Sequence, residues 1–323
     1  MDVDLSKTAG KPIRCKAAVA REAGEPLVIE EVIVGPPKPG EVRIKIICTS
    51  LCFSDISFWR LKRILGHEAV GFLHFVFLRV VESIGEDVHG LSEGDMRRLF
   101  TEYTVVDVAN LTKIDPAIPP NRACLLSCGV STGAAWRSAD VEAGSTVAIF
   151  GLGAIGLAVG EGSRLCGATR IIGVDINPSK YEIGKTFGVT DFVDSTTLVD
   201  KSVIQVIKEM TDGCVGMASL VHEAFSCCLK GWGKTVLLGV DKPGSQLIFA
   251  STEVLHSGKT IQGSLYGGLK PKTDIPILVR RYLNEELELD KFVTHEVGFE
   301  NINKAFDLLL EGKSLRCVIW MDK

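Results

Sequence analysis

The 323-residue chain has no large excess of either charge, 36 Lys and Arg standing against 40 Asp and Glu for a formal net charge of −4. No overall basic field therefore awaits nucleic acid, and small-molecule chemistry becomes the leading class. Aromatic residues are scarce at 7%, yet 46% of residues are hydrophobic and 24% charged, a globular balance that excludes disordered and collagen-like chains. Long hydrophobic runs are missing as well. The two longest, 146–160 and 69–81, are too short for a spanning helix, and the second carries His74 and Arg79. No membrane anchor is expected. The opening MDVDLSKTAGKPIRCK has acidic and polar residues where a signal peptide needs a basic start and an apolar run. A cytoplasmic, reducing setting is expected for the 10 cysteines, which then read as core residues, metal ligands or nucleophiles rather than a disulfide frame. Repeats and low-complexity tracts are absent, and the length fits roughly two domains.

What is present divides into two textures. From Cys15 to Ser50, CKAAVA, LVIEEVIV and VRIKIIC are apolar-rich or alternate at period two around the breaker cluster GPPKPGE, which reads as antiparallel β structure. A further strand is expected at VVESIGEDV, residues 80–88. From Gly144 the pattern changes: TVAIFGLG is a short apolar strand ending in glycines, AIGLAVGEGSRLCG a helix, and RIIGVD a second strand. That is a βαβ unit and implies a parallel sheet, extended by strands in TVLLGV and TIQGSLYGG and a helix in SVIQVIKEMTDG. Helices in DIPILVRRYLNEELE and NINKAFDLLLEGK and a last strand, RCVIW, close the chain.

Gly151-Leu152-Gly153-Ala154-Ile155-Gly156 is the strongest local signal. Alone, such a run also fits an ordinary glycine-rich turn. Its setting favours a dinucleotide site, because a strand precedes it, a helix follows, and a second strand ends in Asp175 at the spacing a Rossmann unit requires. Asp175 is placed to accept from the adenosine ribose hydroxyls and to repel a 2′-phosphate, so NAD is expected rather than NADP; its alternative is a solvated turn residue in VDINP.

Cys52, His67, Glu68 and Cys128 form the second constellation. None has the CxxC spacing of a closed structural zinc site, and each alone reads as readily as a core residue. Their surroundings, with Ser54 and Asp55 after Cys52, GHE around His67, and LLSCGVSTG around Cys128, favour a scattered set of two thiolates and an imidazole with one position open.

Taken in order, ICTSLCFSD, RILGHEAVG, LLSCGVSTG, AGSTVAIFGLGAIGLA, IIGVDINPSK, GSLYGGLKPK and GKSLRCVIW resemble the zinc-dependent medium-chain alcohol dehydrogenases, and most closely the plant members. The resemblance implies an α/β fold: a GroES-like, mainly β catalytic domain from 1–128 completed by 267–323, and a Rossmann coenzyme domain over 129–266. It implies one catalytic zinc per chain on Cys52, His67 and Cys128, with Glu68 as the nearby carboxylate, Asp55 orienting His67, and Ser54 bonding the substrate oxygen. It further implies NAD contacts from Gly151, Leu152, Gly153, Ala154, Ile155, Gly156, Asp175, Lys180 and Arg316, with Val215, Val240 and Tyr266 around the nicotinamide half. An alcohol or aldehyde as substrate and a cytoplasmic homodimer complete the implied picture.

The departures from that family are large. A lobe with four clustered cysteines and a structural zinc is missing where the chain runs from Asp95 through MRRLF into TEYTVVD, and a loop is missing where Lys62 joins Arg63. FLHFVFLR follows GHEAVG where the family has a smooth strand, and its alternative is a misjoined segment. Two residues are missing after Gly133, which rotates the next helix by about 200°. A central strand is missing after Gly213, so the Rossmann sheet is expected to lack one strand, leaving backbone groups unpaired. Phe53 stands in place of a cationic residue near the pyrophosphate, and Ser57 in place of a relay histidine. Two other readings stay open: a truncated, non-catalytic relative that binds nucleotide or pairs with full-length subunits, and a hydroxynitrile lyase on the same scaffold.

Overall fold

The computed structural model describes residues 11–60, 68–71, 75–77, 98–198, 200–211, 215–217, 221–239 and 246–322. It divides into one unit of Met1–Cys128 with Lys270–Lys323 and a second of Gly129–Leu269. None of the nine described cysteines is in a disulfide. No helix among the described residues is long and apolar enough to cross a membrane.

The first unit is mainly β. Strand β1 (Ile13–Val19) lies between β2 (Val28–Val34) and β6 (Arg98–Thr101), antiparallel to both. The ten-residue β3 (Glu41–Ser50) carries the alternation read in VRIKIIC, with Ile44, Ile46 and Cys48 buried. Its first half pairs with β7 (Tyr103–Asp107), and its second half with β4 (Glu68–Gly71) and β16 (Arg316–Trp320). Beyond β4 the sheet continues through β5 (Phe75–Phe77) to β8 (Leu111–Lys113), and β15 (Val293–Gly298) runs parallel to β16 at the opposite edge. Helix α1 (Phe53–Arg60) follows β3 after two residues; α2 (Pro120–Ala123), α10 (Pro271–Leu283) and α11 (Ile302–Leu310) complete the unit. In α11, Ile302, Ala305, Phe306 and Leu309 form one buried stripe at helical spacing. The Phe306 ring meets Trp59 and Phe100 edge-on at 5.5 and 6.1 Å, joining α1, α11 and β6 in one core.

Two of the unusual segments are absorbed into this unit. Part of FLHFVFLR becomes β5, with Phe77 opposite both Ala69 and Leu111 and Val76 opposite Thr112, so its backbone is paired on two sides. The buried Thr112 hydroxyl has no hydrogen-bond partner among the described residues, a cost of about 1–3 kcal/mol. The MRRLF junction contributes Arg98–Thr101 as β6. The junction at Lys62–Arg63 and the strand expected over 80–88 lie outside the described residues.

The second unit is a parallel six-stranded sheet. Its strands are β9 (Thr146–Phe150), β10 (Arg170–Asp175), β11 (Asp191–Asp194), β12 (Val215–Met217), β13 (Lys234–Leu237) and β14 (Thr260–Gly263), in the order β11-β10-β9-β12-β13-β14. Counted along the chain this is 3-2-1-4-5-6, the Rossmann order. Helices α3 (Gly129–Thr132), α4 (Ala135–Ala139), α5 (Ala154–Leu165), α6 (Lys180–Thr186), α7 (Val203–Met210), α8 (Val221–Cys227) and α9 (Ser251–Ser257) belong to it. Ser202 and Gln205 form a reciprocal capping box at the start of α7, the Ser202 hydroxyl accepting from Gln205 N at 3.2 Å and Gln205 Oε1 from Ser202 N at 2.8 Å.

The expected gap in this sheet is corrected. The fourth position is filled by β12, which pairs in parallel with β9 (Val215↔Val147, Met217↔Ile149) and with β13 (Gly216↔Thr235, Met217↔Val236). Residues just past the missing segment have been drawn into the vacant slot, because an open position between β9 and β13 would strand backbone donors and acceptors on both. The replacement is short, at three residues.

Candidate functional site

The first candidate site is the turn from β9 into α5. Gly151 has φ +93°, a left-handed conformation that favours glycine, and its N–H donates to Val174 O at 2.7 Å. Gly153 precedes the first turn of α5 with no side-chain cap, so the opening N–H groups of the helix lack a capping acceptor. A Cβ at Gly156 would stand 1.9 Å from Gly151 O, which shows how closely the helix lies on the turn. Nothing lies within 4 Å of a Cβ at Gly153, which leaves open space over the helix N-terminus. Unpaired N–H groups, a positive dipole end and open space are what a pyrophosphate requires, so this turn fits a dinucleotide.

Asp175 ends β10 beside this turn. Its Oδ2 accepts from Leu152 N at 2.7 Å and its Oδ1 from Asn177 N at 2.9 Å, which fixes a half-buried carboxylate against the loop. Lys180 is the first residue of α6, after a turn in which Asn177 Oδ1 accepts from the Ser179 N–H and hydroxyl at 3.0 and 2.7 Å. Tyr266 lies in a 3₁₀ turn after β14 and has φ +54°. Val215, which the resemblance sets at the nicotinamide half, is a residue of β12 opposite Val147, three residues short of the end of β9. Val240 lies outside the described residues.

The second candidate site lies in the first unit, where β3 passes into α1. Cys52 is buried at 4% exposure and Asp55 at 0%. Asp55 Oδ2 accepts from Cys52 N, and Cys52 O from Asp55 N, each at 3.0 Å, so the carboxylate closes the start of α1 around the cysteine. Ser54 is half-buried within the first turn of α1. Cys128 is half-buried after the 3₁₀ turn Cys124–Ser127, with φ −150° and ψ −72°. Glu68 opens β4 opposite Ser50, and His67 lies outside the described residues. Among the described residues no group of three or more His, Cys, Asp or Glu is placed to hold a metal ion.

The resemblance sets Arg316 at the coenzyme. It is the first residue of β16, buried at 4% exposure, and its guanidinium donates to Leu315 O at 3.0 Å and to Cys52 Sγ at 3.8 Å. β16 lies beside β3, and Leu51 N donates to Cys317 O at 3.0 Å, so the sheet delivers the side chain to the sulfur. No local sequence signal marks this contact, since 264 residues separate the partners. A buried sulfur against a buried cation suits a thiolate, the form in which cysteine binds zinc.

Residues 154–284 match a family described as zinc-binding dehydrogenase. "Alcohol dehydrogenase-like 7" of Arabidopsis thaliana is 55% identical over 388 aligned positions, which cover 98% of this chain and 97% of that protein. "Alcohol dehydrogenase-like 5" of the same plant is 51% identical, with 97% of each chain covered. An alignment of 388 positions exceeds the 323 residues of this chain, so the relative has internal segments with no counterpart here. Among solved structures, an alcohol dehydrogenase zinc-binding domain protein from Burkholderia ambifaria superposes with a TM-score of 0.84 at 26% identity, covering 96% of this chain and 100% of that one. The chain belongs to the medium-chain alcohol dehydrogenase family.

Proposed function

We propose that the protein is a zinc- and NAD-dependent alcohol dehydrogenase, transferring hydride between an alcohol and NAD with the aldehyde or ketone as product. The observation that carries this reading is the uncapped α5 N-terminus beneath Gly151 and Gly153, with the Asp175 carboxylate fixed beside it. In this reading, 129–266 binds the coenzyme, and 1–128 with 267–323 forms the catalytic domain of a cytoplasmic homodimer. Gly151, Leu152, Gly153, Ala154, Ile155 and Gly156 cradle the pyrophosphate, Asp175 accepts from the adenosine ribose, and Lys180 and Tyr266 border the coenzyme. Cys52, His67 and Cys128 would hold zinc, which would supply Lewis acidity toward the alcohol oxygen, and the 151–156 turn would hold NAD as the hydride acceptor. Ser54 takes the hydroxyl proton, and with Ser57 in place of a histidine the proton continues to water. Asp55, anchored on Cys52 N, orients His67, and Glu68 stands by the metal.

The second reading, a relative that binds nucleotide without turnover, is favoured by the missing internal segments and by the drawing of Val215 into β12. Zinc analysis of the purified chain beside an NAD-linked alcohol assay separates the two. Metal with NADH formation supports the first, and folded, metal-free, inactive protein supports the second.

A further inference from the structure

We infer that Asp194 is a second anionic determinant of coenzyme choice, acting beside Asp175 to exclude a dinucleotide that carries a 2′-phosphate. The inference rests on the reading of the 151–156 turn and Asp175 as the dinucleotide site. β10 and β11 run parallel with Asp175 opposite Asp194, the last residue of each strand. Residues in register on neighbouring strands point to the same face, and the strands lie about 4.8 Å apart. Asp194 therefore stands one strand further from the β9 turn than Asp175, at the same edge of the sheet and on the same face.

The two ends of this strand pair differ in how their carboxylates are balanced. At the far end Asp191 is neutralised by Arg170, whose Nε and Nη2 donate to its two carboxylate oxygens at 3.0 and 2.8 Å. At the end beside the 151–156 turn, no cation pairs with either carboxylate among the described residues. Asp175 accepts from the N–H groups of Leu152 and Asn177, and Asp194 Oδ1 accepts from the Thr196 hydroxyl and N–H at 2.6 and 2.9 Å. The Thr196 bonds hold the Asp194 carboxyl below the usual carboxylate range, so it stays charged at neutral pH. A ribose hydroxyl brings no charge to this edge, whereas a phosphate brings about −1.5 to −2. Repulsion between charges near the surface reaches about 8–10 Å at moderate salt, so Asp194 acts on a 2′-phosphate through its charge and needs no contact with it.

The test uses the purified full chain in paired fluorescence titrations with NADH and NADPH, at ionic strengths of about 0.02 M and about 0.5 M. Asp194→Asn keeps an oxygen for Thr196 and removes the charge. In this variant NADPH affinity is expected to rise about 3- to 10-fold at low salt while NADH affinity stays at the parent value, and the gain shrinks at high salt. Asp194→Glu keeps the charge and the parent preference. In an Asp175→Asn background, Asp194→Asn raises NADPH affinity further. Unchanged NADPH affinity in Asp194→Asn, an equal change for both dinucleotides, or a gain that salt does not diminish overturns the inference. A preference that shifts in Asp175→Asn but not in Asp194→Asn overturns it while leaving the dinucleotide reading in place. A folded parent that binds neither NADH nor NADPH overturns instead the reading on which the inference rests.

Discussion

Methyl groups added at two glycines of the proposed coenzyme turn are expected to have opposite structural consequences and the same functional one. In Gly156→Ala the new Cβ stands 1.9 Å from Gly151 O, inside the 3.0 Å that real Cβ contacts respect, so turn and helix must part by more than 1 Å. Overpacking of this kind costs about 1–3 kcal/mol, and it carries the N–H groups of α5 away from the pyrophosphate. One charge-assisted hydrogen bond lost is worth about 1.5–3 kcal/mol, or roughly 10- to 100-fold in Kd. In Gly153→Ala the Cβ meets nothing within 4 Å, and the residue already has φ −74°, so folding is expected to change by about 1 kcal/mol or less. In the proposed placement the methyl nevertheless occupies the approach path of the pyrophosphate. Thermal unfolding and NADH binding measured on both variants separate the effects. Gly156→Ala loses stability and binding together, and Gly153→Ala loses binding alone. Parent-like NADH affinity in Gly153→Ala refutes the placement of the pyrophosphate over this helix.

Two further outcomes follow from single groups. Asp175→Asn keeps an oxygen for Leu152 N but removes the charge, so the NADH:NADPH affinity ratio is expected to fall about 10-fold or more; an unchanged ratio in paired fluorescence titrations contradicts the ribose assignment. Burial pushes the Cys227 and Cys317 thiols up from 9.0 to about 12, so between those pH values the folded chain keeps protons that the unfolded chain has released. Their contribution to stability is therefore complete below pH 9 and is lost as pH rises, at about 1.4 kcal/mol per pH unit for each thiol. Urea midpoints from pH 8 to 10.5 should fall more steeply for the parent than for a Cys227→Ala/Cys317→Ala variant, and parallel slopes contradict this.

Much of the fold was legible because its periodicities are local. The alternation in VRIKIIC became β3, and the apolar stretch TVAIFGLG became β9 and the turn beyond it. The stripe Ile302, Ala305, Phe306 and Leu309 in NINKAFDLLLEGK became the buried face of α11. The turn at 151–156 and its neighbour Asp175 were legible for the same reason, since they lie within one βαβ unit. What could not be read was long-range competition for places in a sheet. The loss of residues after Gly213 predicts an empty fourth position, yet backbone pairing on two neighbours draws Val215–Met217 in and fills it. FLHFVFLR has no counterpart in the family pattern, yet an apolar β-prone run beside an available edge becomes β5, with Thr112 left unsatisfied. The Arg316–Cys52 contact depends on β16 and β3 being neighbours, which no spacing within either segment announces.

The central claim is that this shortened family member still carries a working metal and coenzyme chemistry. The most direct test is zinc content per chain of the purified protein, with NADH formation from short primary alcohols followed in the same preparation. One zinc per chain, removed together with activity by a chelator and restored with it, is the predicted result. Folded protein that binds NADH but holds no zinc and forms none from any alcohol contradicts it.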